Sequence, residues 1–182
     1  DTMDDPLNRH NRLWENDGTG KFRDVSVERG VANLGSLGRG LSWGDYDNDG
    51  DTDLALGNMP DNDRGDDMIP TTLYKNLLSE TGEPNFQDVT IEAGFIRPGV
   101  PRDAIVGGFT DTSGGVSWAD YDNDGDLDFL YRNTRDDVDQ SLFRNNGDGT
   151  FTEVTAEAGV KILDYSLEAD NQGSTGWFDF DQ

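Results

Sequence analysis

The chain repeats itself, and the repeat limits what it can fold into. GLSWGDYDNDGDTDLALGN, Gly40 to Asn58, returns as GVSWADYDNDGDLDFLYRN, Gly115 to Asn133. LWENDGTGKFRDVSVERGV, Leu13 to Val31, returns as LFRNNGDGTFTEVTAEAGV, Leu142 to Val160, with a looser copy, LYKNLLSETGEPNFQDVTIEAGF, at Leu73 to Phe95. Trp43, Trp118 and Trp177 mark the first module; Phe22, Phe86 and Phe151 mark the second. Like marks lie 59 to 75 residues apart. Self-similarity of this kind means one supersecondary unit stacked several times, each covering the face its neighbour leaves open.

Each full unit reads as four short strands. In the second unit these are GVSWAD, LDFLYRN, SLFRNN and FTEVT, divided by Asp-Gly and Asn-Gly turn signals. LALG and DFLY are almost continuously apolar, as expected of strands packed on both faces, and no helical apolar stripe appears. TAEAGV supplies at most one turn. The fold class expected is all-β, with four-stranded antiparallel blades of a β-propeller. Residues 1–39 are read as the C-terminal half of a blade plus a connection, and 40–114 as a full blade with an aspartate loop and a long connection. Residues 115–174 are a second full blade, and 175–182 the first strand of a further one. About two and a half blades cannot close a ring that usually needs at least ~4. The expectation is a piece of a longer chain; the alternative is completion by head-to-tail copies.

The loop texts DYDNDGDTD and DYDNDGDLD place an aspartate at every second position. Carboxylates ~5 Å apart repel by about 3 kcal/mol per pair at an effective dielectric of ~20. A hard divalent cation removes that repulsion, and Ca²⁺, which takes six to eight oxygen ligands, suits a tight loop with alternate inward residues. Side-chain ligands are assigned to Asp45, Asp47, Asp49 and Asp53, with the Asp51 carbonyl, and in the second loop to Asp120, Asp122, Asp124 and Asp128, with the Asp126 carbonyl. Gly50 and Gly125 allow the sharp turn. In STGWFDFDQ, Asp179 and Asp181 match the first two ligands of a third loop. An EF-hand needs Glu at position twelve and flanking helices, whereas that position holds Leu56 or Tyr131 between strands. Mg²⁺ fits less well because it prefers compact octahedral sites. Merely solvated Asp-Asn-Gly turns account poorly for two copies at equivalent places in a repeat.

The run W-x-D-x-D-N-D-G-D-x-D, with L-[FWY]-x-N and G-x-G-T-F-x-[DE]-V-[TS] after it, resembles the FG-GAP/VCBS repeats of integrin-type propellers. NNGDGTFTEVTAEAGV resembles secreted acidic proteins of the cartilage acidic protein type and their bacterial relatives. The resemblance covers nearly the whole chain. It implies an extracellular, calcium-bound propeller concerned with adhesion or ligand binding. At Leu73 to Phe95 the chain departs from the pattern, because LLSETGEPNF replaces the short Gly-rich turn.

Charge narrows the partners. With 14 basic against 38 acidic residues the chain carries a formal −24, which opposes nucleic acid and anionic membrane surfaces. No apolar run approaches the ~20 residues of a membrane span. A protein or glycan ligand of unknown identity is expected, besides further blades of the same chain or head-to-tail copies. The variable connections, Met59 to Pro70, Ile96 to Gly114, Thr134 to Gln140 and Lys161 to Ser174, are its expected binding face, opposite the aspartate loops.

Catalysis is not expected. There is no cysteine and no serine elbow, and the single histidine, His10, reads as solvated. A structural repeat of a surface fibre or layer, and an accessory propeller of a secreted enzyme, stand as alternatives. The tryptophans read as blade packing rather than sugar platforms, and Asn16, Asn76 and Asn145 as turn residues. Arg64 to Asp66 spell RGD, read as a chance match.

Overall fold

The computed structural model describes residues 10–32, 36–60, 71–95, 113–133, 140–160 and 176–178. The described chain is almost wholly strand and turn. A two-stranded antiparallel ribbon pairs β1 (Trp14–Asn16) with β2 (Phe22–Asp24). A four-stranded sheet follows, in the order β3 (Ser36–Gly44), β4 (Asp53–Pro60), β5 (Thr72–Asn76) and β6 (Phe86–Asp88). A second four-stranded sheet takes β7 (Ser113–Ala119), β8 (Asp128–Asn133), β9 (Gln140–Asn145) and β10 (Phe151–Glu153) in the same consecutive order. Every described pairing is antiparallel. These are the all-β, four-stranded units that the repeated text implies. Each first strand carries an irregularity at the same place, between Gly38 and Gly40 and between Ser113 and Gly115.

The copied text also makes copied contacts. The Leu13 amide donates to the Ser26 hydroxyl, Leu73 to Thr90 and Leu142 to Thr155. The same hydroxyl residues open a tight turn in all three units. Val25, Val89 and Val154 accept from the amide four residues on, at 2.8 Å each. The first two turns then reach a fixed target in the next unit: the Phe86 amide donates to the Arg29 carbonyl at 2.9 Å, and Phe151 to Ala93 at 2.8 Å. Gly30 and Gly94 stand at these crossings with φ of 85° and 67°. A Cβ on Gly30 would lie 2.8 Å from the Phe86 carbonyl oxygen, so the crossing needs both the left-handed backbone and the missing side chain.

The largest core lies between the two sheets. Tyr46, Ala55, Leu73 and Phe95 come from one side, and Val116, Phe129, Tyr131, Phe143 and Phe151 from the other. Phe95 sits at its centre, with ring centroids 4.3 Å from Phe129 and 5.3 Å from both Phe143 and Phe151. Leu54, Leu56 and Tyr74 pack with Val31, Leu13 and Phe86 on the opposite face of the first sheet. Both faces of β4 are therefore covered, as its continuous apolar run requires. Leu130, Leu142 and Val154 do the same for the second sheet.

Where LLSETGEPNF replaces the short turn, the chain forms one helical turn, α1 (Leu78–Thr81), stopped by Gly82 in the left-handed conformation. No helix among the described residues is long and apolar enough to cross a membrane. The variable connections, the RGD tripeptide and Asp179 and Asp181 lie wholly or mostly outside the described residues.

Candidate metal centre

Both aspartate loops join the first strand of a sheet to the second. In the first, Asp45 closes the turn by accepting the amides of Asp49 and Gly50, both at 3.1 Å. In the second, Asp120 accepts from Asp124 and Gly125, both at 3.0 Å. Gly50 and Gly125 have φ of 93° and 97°, while Asn48 and Asn123 adopt 57° and 60°. Asn is the side-chain-bearing residue that tolerates this region best, which gives the Asp-Asn-Asp-Gly order a conformational reason.

The last aspartate of each loop is anchored most firmly. Asp53 is buried and accepts from the amides of Tyr46 at 3.0 Å and Asn76 at 2.8 Å. Asp128 is buried likewise and accepts from Tyr121 and Asn145, both at 2.9 Å. Burial pushes Asp53 up to about 7 despite those amides, and Asp128 up to about 6 for the same reason.

The chain gathers three carboxylates at each loop. Ligand-type oxygens of Asp45, Asp47 and Asp53 lie within 4.8 Å of one another, and so do those of Asp120, Asp122 and Asp128. Asp49 enters a second, overlapping group with Asp47 and Glu80. The Asp51 carboxylate accepts the Ser79 amide at 2.7 Å, and Asp126 accepts the Asn48 amide group at 2.6 Å. Asp124 accepts the Asp126 amide at 2.9 Å and joins no such group among the described residues.

The residues present fit a hard cation. Asp47 Oδ1 and Asp51 Oδ1 are buried oxygens with no hydrogen-bond partner among the described residues. Orphaned anionic oxygens are costly inside a protein, and carboxylate oxygen is the donor that Ca²⁺ and Mg²⁺ prefer.

Three features escaped the sequence reading. Lys75, from β5, reaches into the first loop: its ammonium pairs with Asp47, lies 3.2 Å from Asp49, and lies 2.6 Å from Glu80 of α1. Burial pushes the Asp47 carboxyl up, and Lys75 opposes it without prevailing. Burial of Asp49 acts the same way but is outweighed by the Asp51 amide, the Ser79 hydroxyl and Lys75, which leave that carboxyl below its ordinary range. The second feature is the recurring asparagine. Asn16, Asn76 and Asn145 do form the expected side-chain turns, accepting from Gly18, Leu78 and Gly147. Asn76 and Asn145 also donate to the loop carbonyls of Thr52 and Leu127 at 3.1 and 3.2 Å, so the turn residue doubles as a loop brace. Its recurrence at one strand end was the available signal.

The third is a seam. Tyr46, inside the first loop, stacks on Trp118 of the second sheet, with centroids 6.4 Å apart and planes 13° apart. Tyr121 of the second loop stacks on Trp177 at 6.3 Å and 19°. Asn145 Nδ2 crosses the same boundary to the Tyr46 carbonyl at 2.7 Å, and Trp118 Nε1 donates to the Ser42 carbonyl at 3.2 Å. Trp118 thus packs between the two sheets, the packing role expected of it. Trp43 is 43% exposed and tilts against Phe86, and no described tyrosine takes the place against it that Tyr46 takes against Trp118.

Comparison with known proteins agrees with the motif reading. A family model for the FG-GAP-like repeat matches residues 5–56. Cartilage acidic protein 1 of Xenopus tropicalis is 28% identical over 133 residues, and those of Mus musculus and Homo sapiens are each 29% identical over 133. The matches cover 73% of this chain but only 17% of each relative's length. Residues 5–56 are thus similar to the FG-GAP-like repeat, and 133 residues of the chain are similar to cartilage acidic protein 1, the likeness that its doubled aspartate loops and Gly-rich turns imply.

Proposed function

We propose that this chain is a calcium-binding β-propeller segment that serves as an extracellular binding or adhesion module. One observation carries the reading: two loops at equivalent places in successive sheets each bring three carboxylates within 4.8 Å. Asp45, Asp47 and Asp53 would hold one ion and Asp120, Asp122 and Asp128 the other. Asp49 and Asp124, with the carbonyls of Asp51 and Asp126, are the remaining oxygens close in sequence. When bound, the ion neutralises the clustered charge; the chain itself holds Asp53 and Asp128 in place through backbone amides. Calcium is preferred to magnesium because the loop offers many oxygens in a flexible arrangement.

The module is non-enzymatic in this reading, its repeats being scaffold and its ions structural. Relatives named as cartilage proteins support an extracellular placement. The first loop and the β5–β6 turn lie at the same end of the sheet, because Ser79 touches both Asp49 and Asp51. The connections at the other end are the proposed ligand face.

Calorimetric titration with CaCl2 tests the metal. Two bound ions are expected, with both lost when Asp53 and Asp128 are replaced by Asn. Absence of binding by the folded protein would refute the reading.

A further inference from the structure

The two loops agree in eight of nine residues, differing only at Thr52 and Leu127, yet they meet different neighbours. Lys75 and Arg144 hold matching places in their sheets, opposite Gln87 and Thr152. The Lys75 ammonium sits among Asp47, Asp49 and Glu80. Arg144 makes no ion pair with its loop among the described residues, and Asp122 and Asp124 there are exposed. The turns beyond differ as well: α1 sets Ser79 and Glu80 over the first loop, whereas the second meets Gly147, where a Cβ would lie 2.9 Å from Asp126 Oδ2.

We infer that Lys75 is a tethered counter-ion that competes with the metal for the first loop, so that two nearly identical loops bind calcium with unequal strength. The inference rests on the calcium reading above. Asp47 belongs to both carboxylate groups, the one with Asp45 and Asp53 and the one with Asp49 and Glu80. An entering ion must therefore take Asp47 from the ammonium. Lysine suits such a role, being a compact charge on a flexible stem. Glu80 gives it somewhere to go: the ion pair at 2.6 Å remains when Asp47 is surrendered, so displacement strands no charge. The first loop thus exchanges an internal cation for an external one, and the second has no such exchange to make. Breaking the charge-assisted Lys75–Asp47 hydrogen bond as the ion enters weakens the first site by about tenfold.

The test is calorimetric titration of the intact protein with CaCl2, comparing the unaltered chain with Lys75→Met, Lys75→Gln and Asp122→Asn. Circular dichroism establishes that each variant is folded, and the Gln variant serves if the Met variant is not. Expected are two affinity classes. Asp122→Asn removes the tighter class, while both Lys75 variants tighten the weaker class about tenfold and leave the other unchanged. Equal affinities in the unaltered chain, or a weaker class that either Lys75 variant leaves in place or loosens, overturns the inference while leaving calcium binding intact. No calcium uptake by any folded variant overturns the calcium reading, and the inference with it.

Discussion

The loops at 45–53 and 120–128 share their internal hydrogen bonds almost atom for atom, and still differ in what surrounds them. The first is the more enclosed: Asp51 and Asp53 are buried and Asp47 and Asp49 half-buried, under Lys75, Ser79 and Glu80. In the second only Asp128 is buried, and Asp122 and Asp124 face solvent. Local sequence sets the shape of an acidic loop, but a residue arriving from another strand sets its net charge. The charge on a ligand set decides how strongly it draws a cation.

The largest effect should come from calcium itself. At a calcium concentration about a hundred times the weaker Kd, and so about a thousand times the tighter one, the two sites add about 7 kcal/mol to folding, raising the melting temperature by about 14 to 28 °C over a chelated sample. Asp122→Asn should remove more of that increment than Asp47→Asn, because the first loop already holds Lys75. Scanning calorimetry with calcium and with chelator gives both numbers, and equal losses would erase the distinction between the loops.

Next comes the anchoring carboxylate, where the loops should behave alike. Asp53→Ala and Asp128→Ala each leave two backbone amides without acceptors, at a cost of about 2 to 5 kcal/mol in urea denaturation. A gap between the two much beyond 1 kcal/mol would mean that the shared hydrogen bonds are not equally important.

Acidity gives a smaller effect with a definite sign. Asp53, raised to about 7, and Asp128, raised to about 6, both by burial, bind a proton more tightly when folded than when unfolded. Their contribution is fully present below their ordinary value of 3.8 and is lost as pH climbs through about 6 and then about 7. Metal-free protein should therefore lose stability from about pH 4 upward, the decline easing near 6 and ending near 7. Asp53→Asn should make the decline shallower and end it near 6, whereas Asp128→Asn should make it shallower but leave it running to about 7. Urea midpoints measured in chelator across that range check the order, and a rise in stability over it contradicts the assignment.

Leu127→Thr makes the two loop texts identical. Leu127 lies against the first sheet, where a Cβ on Gly44 would come 3.0 Å from its side chain. The change should cost about 1 kcal/mol of stability and leave both calcium affinities as they were. A shift in either affinity on titration would place the difference inside the nine residues after all.

What could be read beforehand followed from what repeats. Alternating Val, Phe, Trp and Thr between Asp-Gly turns gave the strands, and matched copies at Leu13, Leu73 and Leu142 gave the units, because each pairing is local to its own hairpin. The loop aspartates were legible for the same reason. Lys75 was not: it stands beyond the loop, and its counterpart Arg144 is also basic, so charge pattern alone treats the two alike. Only the helical turn after Asn76, which brings Glu80 beside Lys75, separates them, and LLSETGEPNF announced a departure without its direction. Nor did the text disclose that Asn76 and Asn145 brace the loops, since a turn asparagine and a bracing asparagine look the same until the strands are paired.

The stack of Tyr46 on Trp118, repeated by Tyr121 on Trp177, has a consequence for how such chains lengthen. Both full units carry a peg, the tyrosine second in the aspartate loop, and a socket, the tryptophan two residues before that loop. Because peg and socket sit three residues apart in the chain, duplicating a unit copies both halves of the joint. A new copy inserted anywhere arrives already able to grip the units before and behind it. Arrays of different length can then arise by copying alone, with no compensating substitution at the junctions.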